Sequence, residues 1–337
     1  MTPEPRRTIP WVAASRDDLL AGAVDRREVR TADAKSGATF ERLVVDGRPC
    51  FCKTLSGSDD WIMRVTGNTT NWEFRVWRAG LYQRVPDCID HAILGMALEG
   101  AGPDARLSIL MADRTADLVP AGDEPIPLRH HRDFLDHLAA FHAGFLGWRD
   151  DLGLYALADR FRFFAPDNIA AELTVTDVPI PLAVADRGWR ALPGRAPGLA
   201  EQVFAVHADP GRLARAFAGT PMAFVAGDWK LGNLGRRPDG RTVLLDWAYP
   251  GEAPLCLELA WYLALNAARI PESKESAIGA YRASLERHGI DTGGWWDRQF
   301  DLSVLGMAAI IAWEKAVGSE EELAWWSRAA ARAERWL

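Results

Sequence analysis

Residues 228 to 246 read Asp228-Trp229-Lys230-Leu231-Gly232-Asn233, then a turn at Pro238-Asp239-Gly240, then Thr242-Val243-Leu244-Leu245 and Asp246. The Pro-Asp-Gly turn stands before a strand-like apolar run, so the segment after Leu234 predicts a hairpin that returns the chain. Moving a γ-phosphoryl group needs a carboxylate that orients the attacking hydroxyl and takes its proton, with oxygen ligands for Mg²⁺. Asp228, Asn233 and Asp246 fill those roles in order, and Lys230 is placed to neutralise the γ-phosphate. Mg²⁺ takes few protein ligands and keeps phosphate and water oxygens, so one Asn and one Asp suffice. Taken singly, Asp228 also reads as a turn or cap, Asn233 as a left-handed turn residue and Asp246 as a strand end.

The chain has 337 residues, 48% of them apolar, enough to bury a large core and to divide into two lobes. Its formal net charge of −7 gives no basic footprint for nucleic acid and favours a cationic or neutral small partner over an acidic one. Cys50, Cys52, Cys88 and Cys256 lack metal-type spacing. Cys50 and Cys52 share one face of a strand, so all four read as reduced core residues. Residues 1 to 10 lack an apolar leader segment, and the apolar stretch 304 to 313 is too short to span a bilayer, which predicts a cytoplasmic protein with no membrane partner. Oligomeric state is not legible.

Residues 28 to 53 alternate and turn as successive hairpins: Glu28-Val29-Arg30-Thr31, a small-residue patch around Ser36-Gly37-Ala38, the run 40 to 45, an Asp46-Gly47 turn, and Pro49 to Lys53. Lys53 ends an apolar strand and needs a partner. Residues 70 to 84 carry Trp72, Val76, Trp77 and Leu81 at helical spacing. Thr70-Asn71-Trp72-Glu73 there also reads as a capping box, in which Glu73 serves the helix start. The run 107 to 112 reads as a buried strand ending at Met111-Ala112.

An Asp followed five positions later by Asn matches the catalytic loop of protein kinases. With the later Asp246, the segment resembles the aminoglycoside phosphotransferase and choline kinase superfamily, which has a protein-kinase-like fold. The resemblance implies an α+β chain of two lobes: a small N-terminal nucleotide-binding lobe with an antiparallel sheet, residues 1 to 112, and a larger, mainly helical catalytic and acceptor-binding lobe, residues 113 to 337. It implies ATP and Mg²⁺ as cofactors and a small-molecule hydroxyl acceptor of the aminoglycoside, amino-sugar or amino-alcohol type. By the same resemblance Lys53 grips the phosphates with Glu73 as its orienter, and Ser36 and Gly37 lie in the loop over the phosphates, where a plain hairpin turn is an equal reading. Met111 and Ala112 then face the adenine. The family usually reads His-Gly-Asp where this chain has Ala226-Gly227-Asp228, and usually Asp where it has Glu258. Ala226 motivates the alternative of a nucleotide-binding pseudokinase acting as sensor or scaffold, and nucleotidyl transfer on the same fold is a further alternative.

From Leu128 the pattern is helical, with Phe134, Leu138, Phe141, His142 and Phe145 on one face; His142 reads as a core histidine, and His130 and His131 as solvated. Residues 148 to 221 are the least readable, with turn signals at Ala165-Pro166-Asp167 and Leu192-Pro193-Gly194. Helices are expected from 257 to about 269, then over 272 to 289, 294 to 315 and 319 to 336. Of the fifteen Trp residues, Trp247 beside Asp246 is the strongest candidate for an aromatic wall against the acceptor.

Overall fold

The computed structural model describes residues 10–29, 37–174 and 179–337. In chain order the strands are β1 Val12–Ala13, β2 Val24–Val29, β3 Thr39–Val45, β4 Arg48–Ser56, β5 Ile89–Asp90, β6 Ile93–Glu99, β7 Arg106–Ala112, β8 Met222–Val225, β9 Leu234–Arg236, β10 Thr242–Leu244 and β11 Gly251–Pro254. The chain forms two compact units, one of Met1–Gly122 with Leu231–Pro250, the other of Asp123–Lys230 with Gly251–Leu337. The hairpin after Lys230, which chain order places in the second lobe, is therefore compact with the first unit.

The first unit is built on a six-stranded sheet of order β1-β6-β7-β4-β3-β2. Its pairs are antiparallel except β1 on β6, which is parallel, so the sheet is mixed where a purely antiparallel one is expected from the hairpins. Alternation on β4 turns Cys50 and Cys52 into a core with Leu19, Leu20, Leu43, Ala97 and Leu110. Lys53 therefore points to the opposite face. A second sheet, β5-β10-β9, contains the predicted hairpin: β9 and β10 pair antiparallel, with Thr242 opposite Arg236. The Asp90 carboxylate on β5 is pinned by Arg237 Nη1 at 2.5 Å and Arg114 Nε at 3.0 Å. Burial alone raises its pKa, but the two guanidiniums outweigh that and hold it below the ordinary carboxylate value.

The predicted helix over 70 to 84 is shorter. It spans Trp72–Arg78, breaks at left-handed Gly80, and resumes as a 3₁₀ turn Leu81–Arg84. Glycine at that position tolerates the positive φ that other residues resist.

The second unit is helical around the two-stranded ribbon β8–β11. Helix Leu128–Gly144 buries Phe134, Leu138, Phe141 and His142, as its spacing predicts. Helix Leu255–Leu265 is buried from Leu255 through Ala264, and helix Trp296–Val317 is nearly as deep. Each fully buried Leu in them contributes about 2 kcal/mol by transfer from water. Ser273 and Ser319 cap the helices Lys274–Arg287 and Glu320–Ala331 by accepting backbone N–H groups of Ser276 and Glu322.

Residues 148 to 221, hard to read from sequence, hold the helices Leu157–Arg160, Pro166–Glu172, Ile180–Arg195, Pro197–Ala208 and Pro210–Ala216. Leu192-Pro193-Gly194 is not a turn: Pro193 lies inside Ile180–Arg195. Tertiary packing overrides the breaker there, because Gly188 lets that helix lie against Trp313 so closely that a Cβ would meet the Trp313 carbonyl oxygen at 2.1 Å. Among the described residues no helix is long and apolar enough to cross a membrane.

Candidate active site

Within the first unit, Lys53 sits between two carboxylates, Nζ being 2.8 Å from Asp246 Oδ1 and 3.6 Å from Glu73 Oε1. Burial disfavours the Lys53 cation, but Asp246 and Glu73 outweigh it and raise its pKa above the ordinary value. Glu73 is pushed up to about 7 by burial, with Asp246 adding to the rise and Lys53 opposing it. A charged lysine is thus held between two carboxylates.

Local backbone explains the placement of each member. Glu73 is the second residue of its helix, whose entry residue Asn71 is left-handed at φ 54° and makes no side-chain cap bond. Asn68 Oδ1 instead accepts the Trp72 N–H at 3.0 Å. The capping-box reading of Glu73 thus gives way to the pairing with Lys53. Asp246 also has a positive φ, 54°, which costs a non-glycine residue about 1 kcal/mol and turns its carboxylate out of the β10 line. Asn233 closes a short 3₁₀ turn, Leu231–Asn233, and its carbonyl accepts the Leu245 N–H at 2.9 Å, tying it to the residue before Asp246.

Asn233 and Asp246 offer oxygen donors suited to a hard cation, with Asp246 37% exposed at its side chain. No group of three or more His, Cys, Asp and Glu able to hold a metal occurs among the described residues. This donor set fits Mg²⁺, whose other positions are ordinarily filled by phosphate and water oxygens, and does not fit a closed zinc-type cage.

Further predicted residues fall within this unit. Met111 and Ala112 end β7, both half-buried, and the Ala112 N–H is committed to the Ala92 carbonyl at 2.8 Å. Gly37 lies so close to the turn after β4 that a Cβ would stand 2.0 Å from the Asp59 carbonyl oxygen. Ser36 lies outside the described residues. Trp247, expected as an aromatic wall, is 1% exposed and packs on Tyr82 with ring centroids 4.2 Å apart. It is a core residue.

In the second unit, β8 runs through Ala226 into Gly227, at φ 86°, and then Asp228, which is 2% exposed. Trp261 Nε1 donates to Asp228 Oδ1 at 3.0 Å and Lys230 Nζ lies 2.8 Å from Oδ2. Both carboxylate oxygens thus have donors, which fixes the plane of the group. Behind it, the Gly227 N–H donates to Glu258 Oε1 at 2.7 Å. Glu258 Oε2 is 2.9 Å from His142 Nε2, and His142 Nδ1 is 2.5 Å from the Tyr281 hydroxyl. A carboxylate only accepts, so the His142 Nε2–H is the donor to Glu258. Support for the loop at Ala226-Gly227-Asp228 therefore comes from helix Leu255–Leu265 through Glu258.

Sequence reasoning left Trp261 and Tyr281 without these roles, since nothing in spacing says which aromatic carries the donor. His131, expected to be solvated, is fully buried between the Tyr262 hydroxyl and Glu272 Oε1, each at 2.9 Å. Its position in the stripe His131, Phe134, Leu135, Leu138 and His142 carried the signal.

No protein-family model matches the sequence, and no curated protein matches it either. Solved structures match in fold. A microcompartment-associated aminopropanol kinase aligns over 93% of this chain and 90% of its own, with TM-score 0.52 and 11% identity. Choline kinase LicA from Streptococcus pneumoniae aligns over 95% of each chain, with TM-score 0.50 and 11% identity. The chain thus has the two-lobe α+β fold of the small-molecule kinases it resembles.

Proposed function

We propose that this protein is an ATP-dependent phosphotransferase that moves the γ-phosphoryl group to a hydroxyl of a small molecule. The observation that carries the reading is Lys53 held between Asp246 and Glu73, since a lysine paired with a helix glutamate is what grips phosphates in phosphoryl transfer. Fold likeness to kinases of an amino alcohol and of choline favours an acceptor of that general size.

In this mechanism Asp228 accepts a hydrogen bond from the acceptor hydroxyl and takes its proton as the oxygen attacks in line. Trp261 and Lys230 keep the Asp228 carboxylate in one plane, so little orientational freedom is lost at that step. Lys230 neutralises charge on the γ-phosphoryl oxygens. Lys53 binds the α- and β-phosphates with Glu73 orienting it, and Gly37 belongs to the loop over them. Met111 and Ala112 border the adenine. Asn233 and Asp246 would hold Mg²⁺, which when bound supplies charge neutralisation at the phosphoryl oxygens.

A second reading, a nucleotide-binding pseudokinase, is favoured by Ala226 in place of the family His. The bond from Gly227 N–H to Glu258 supports the loop without that His, which favours turnover. The test is ADP release with Mg²⁺ and ATP across an array of aminoglycosides, amino sugars, amino alcohols, neutral polyols and hydroxy acids. Acceptor-dependent ADP release with phosphate attached to the product is expected. Tight nucleotide binding with no acceptor-dependent release would favour the pseudokinase, and attached AMP would mean nucleotidyl transfer.

A further inference from the structure

Arg160 is a buried cation without an ion pair among the described residues. The residue is 5% exposed, and its Nε and Nη2 atoms are buried with no hydrogen-bond partner among the described residues. Among the described residues the other Lys or Arg buried to this degree, Lys315, is satisfied by the Ala264 carbonyl at 2.7 Å and by Glu314 at 3.0 Å. The two carboxylates with the largest electrostatic influence on Arg160 are Glu258 and Asp150. Both are committed elsewhere. Glu258 accepts from Gly227 N–H and pairs with His142, and Asp150 accepts the backbone N–H groups of Leu152 and Leu154 at 2.9 and 2.7 Å. The Tyr155 ring lies 5.0 Å from the guanidinium carbon and supplies a π face in place of a counter-charge.

Leaving such a group unpaired is costly, because a buried charge without a partner loses its hydration and gains nothing in return. Burial pushes the Arg160 pKa down to about 10, so it still carries its proton at neutral pH.

The position is built. A Cβ at Gly251 would stand 2.8 Å from both Arg160 Nη2 and the Tyr155 carbonyl oxygen, so only glycine there admits the guanidinium. Gly251 pairs with Val225 across the β8–β11 ribbon, and Val225 leads through Ala226 and Gly227 to Asp228. The unpaired fork therefore sits at the end of the ribbon from which the proposed base emerges.

We propose that Arg160 anchors an anionic group of the acceptor, a carboxylate or phosphate ester on the molecule whose hydroxyl meets Asp228. A guanidinium fork matches either group with two parallel hydrogen bonds. This rests on the phosphotransferase reading and reverses the preference for a cationic acceptor drawn from net charge, since a local unpaired Arg outweighs a diffuse −7.

The test uses four matched probes, glycerate, glycerol 3-phosphate, glycerol and 3-aminopropane-1,2-diol, titrated calorimetrically into the full-length protein, with ADP release followed in parallel. Tighter binding of one or both anions than of glycerol and the amine, on the order of 10- to 100-fold, is expected. Arg160→Gln should erase that preference and Arg160→Lys should keep part of it. Which anion binds distinguishes carboxylate from phosphate ester. Equal or undetectable binding of both anions overturns the proposal, as does a preference that survives Arg160→Gln. The wild-type series decides the matter even if Arg160→Gln does not fold. Anion-selective binding that requires Arg160 but yields no ADP would support the site and count against phosphoryl transfer; ADP release that is equal with glycerol and with the anions would do the reverse.

Discussion

Lys53 Nζ lies 2.8 Å from Asp246 Oδ1, linking β4 to the residue that follows the β9–β10 hairpin, 193 positions later in the chain. Glu73 stands on the same ammonium from a third element, at 3.6 Å. Removing the lysine leaves two acids facing each other, one of them buried. Lys53→Met is expected to destabilise the fold by about 3 kcal/mol, because it leaves the buried Glu73 carboxyl facing Asp246 without their shared cation. Lys53→Met with Glu73→Gln should recover a good part of that loss. Urea denaturation of both variants and of Glu73→Gln alone measures the coupling, and a simply additive double variant would contradict the pairing.

Glu258 touches no substrate in the proposed mechanism and acts through Gly227. Glu258→Gln, which keeps one acceptor oxygen, should lower kcat roughly 10-fold and leave KM for ATP within about twofold, whereas Glu258→Ala should cost on the order of 100-fold in kcat. Equal effects of the two variants on kcat and KM would point to general unfolding instead of positioning.

Gly188 is a packing glycine. Because a Cβ there would meet the Trp313 carbonyl oxygen at 2.1 Å, Gly188→Ala must push helix Ile180–Arg195 away from helix Trp296–Val317. The expected cost is about 2 kcal/mol, read as a fall in Tm, even though alanine has the higher helix propensity. An unchanged or raised Tm would show that the helices are not so closely apposed.

His131 and His207 are both buried, and burial lowers the pKa of each, against opposing influences from Glu272 and from the Ala309 carbonyl respectively. A histidine with a lowered folded-state pKa stabilises the fold when neutral, above its unfolded value of 6.5, and that contribution is lost as the pH falls through the folded value. Stability is therefore expected to decline from pH 7 toward pH 5, each histidine contributing at most about 1.4 kcal/mol per pH unit. His131→Gln with His207→Gln should flatten the decline, whatever it does to stability at pH 8. An undiminished slope in that variant would place the acid sensitivity elsewhere.

The parts of this molecule that were legible in sequence are those fixed by local pattern. The hairpin from Leu234, the strands carrying Cys50, Cys52 and Lys53, and the helical stripe of Phe134, Leu138 and Phe141 all follow from periodicity and turn chemistry. Lys53 stands beside Glu73, the partner that the kinase resemblance implies, although β4 does not end at Lys53 but runs on to Ser56. What escaped depends on distant neighbours. Pro193 reads as a breaker until the packing of Gly188 on Trp313 is known, and His131 reads as solvated until its stripe is seen to face Tyr262 and Glu272. Trp247 beside Asp246 looked like a ligand wall and is core, because Tyr82 covers it. Trp261 and Arg160 carry no motif at all; one is defined by its bond to Asp228, the other by the lack of an ion pair among the described residues.

The central claim is that Asp228 takes the proton of an acceptor hydroxyl while other residues hold the nucleotide. Transfer of labelled γ-phosphate from ATP to an acceptor found active in the array, measured for wild type and Asp228→Asn beside calorimetric titration of ATP with Mg²⁺, tests it directly. Asn keeps the acceptor oxygen for Trp261 and removes the base, so phosphate transfer should fall by at least about 100-fold while nucleotide affinity changes by less than about threefold. Phosphate transfer by Asp228→Asn near the wild-type rate would contradict the account.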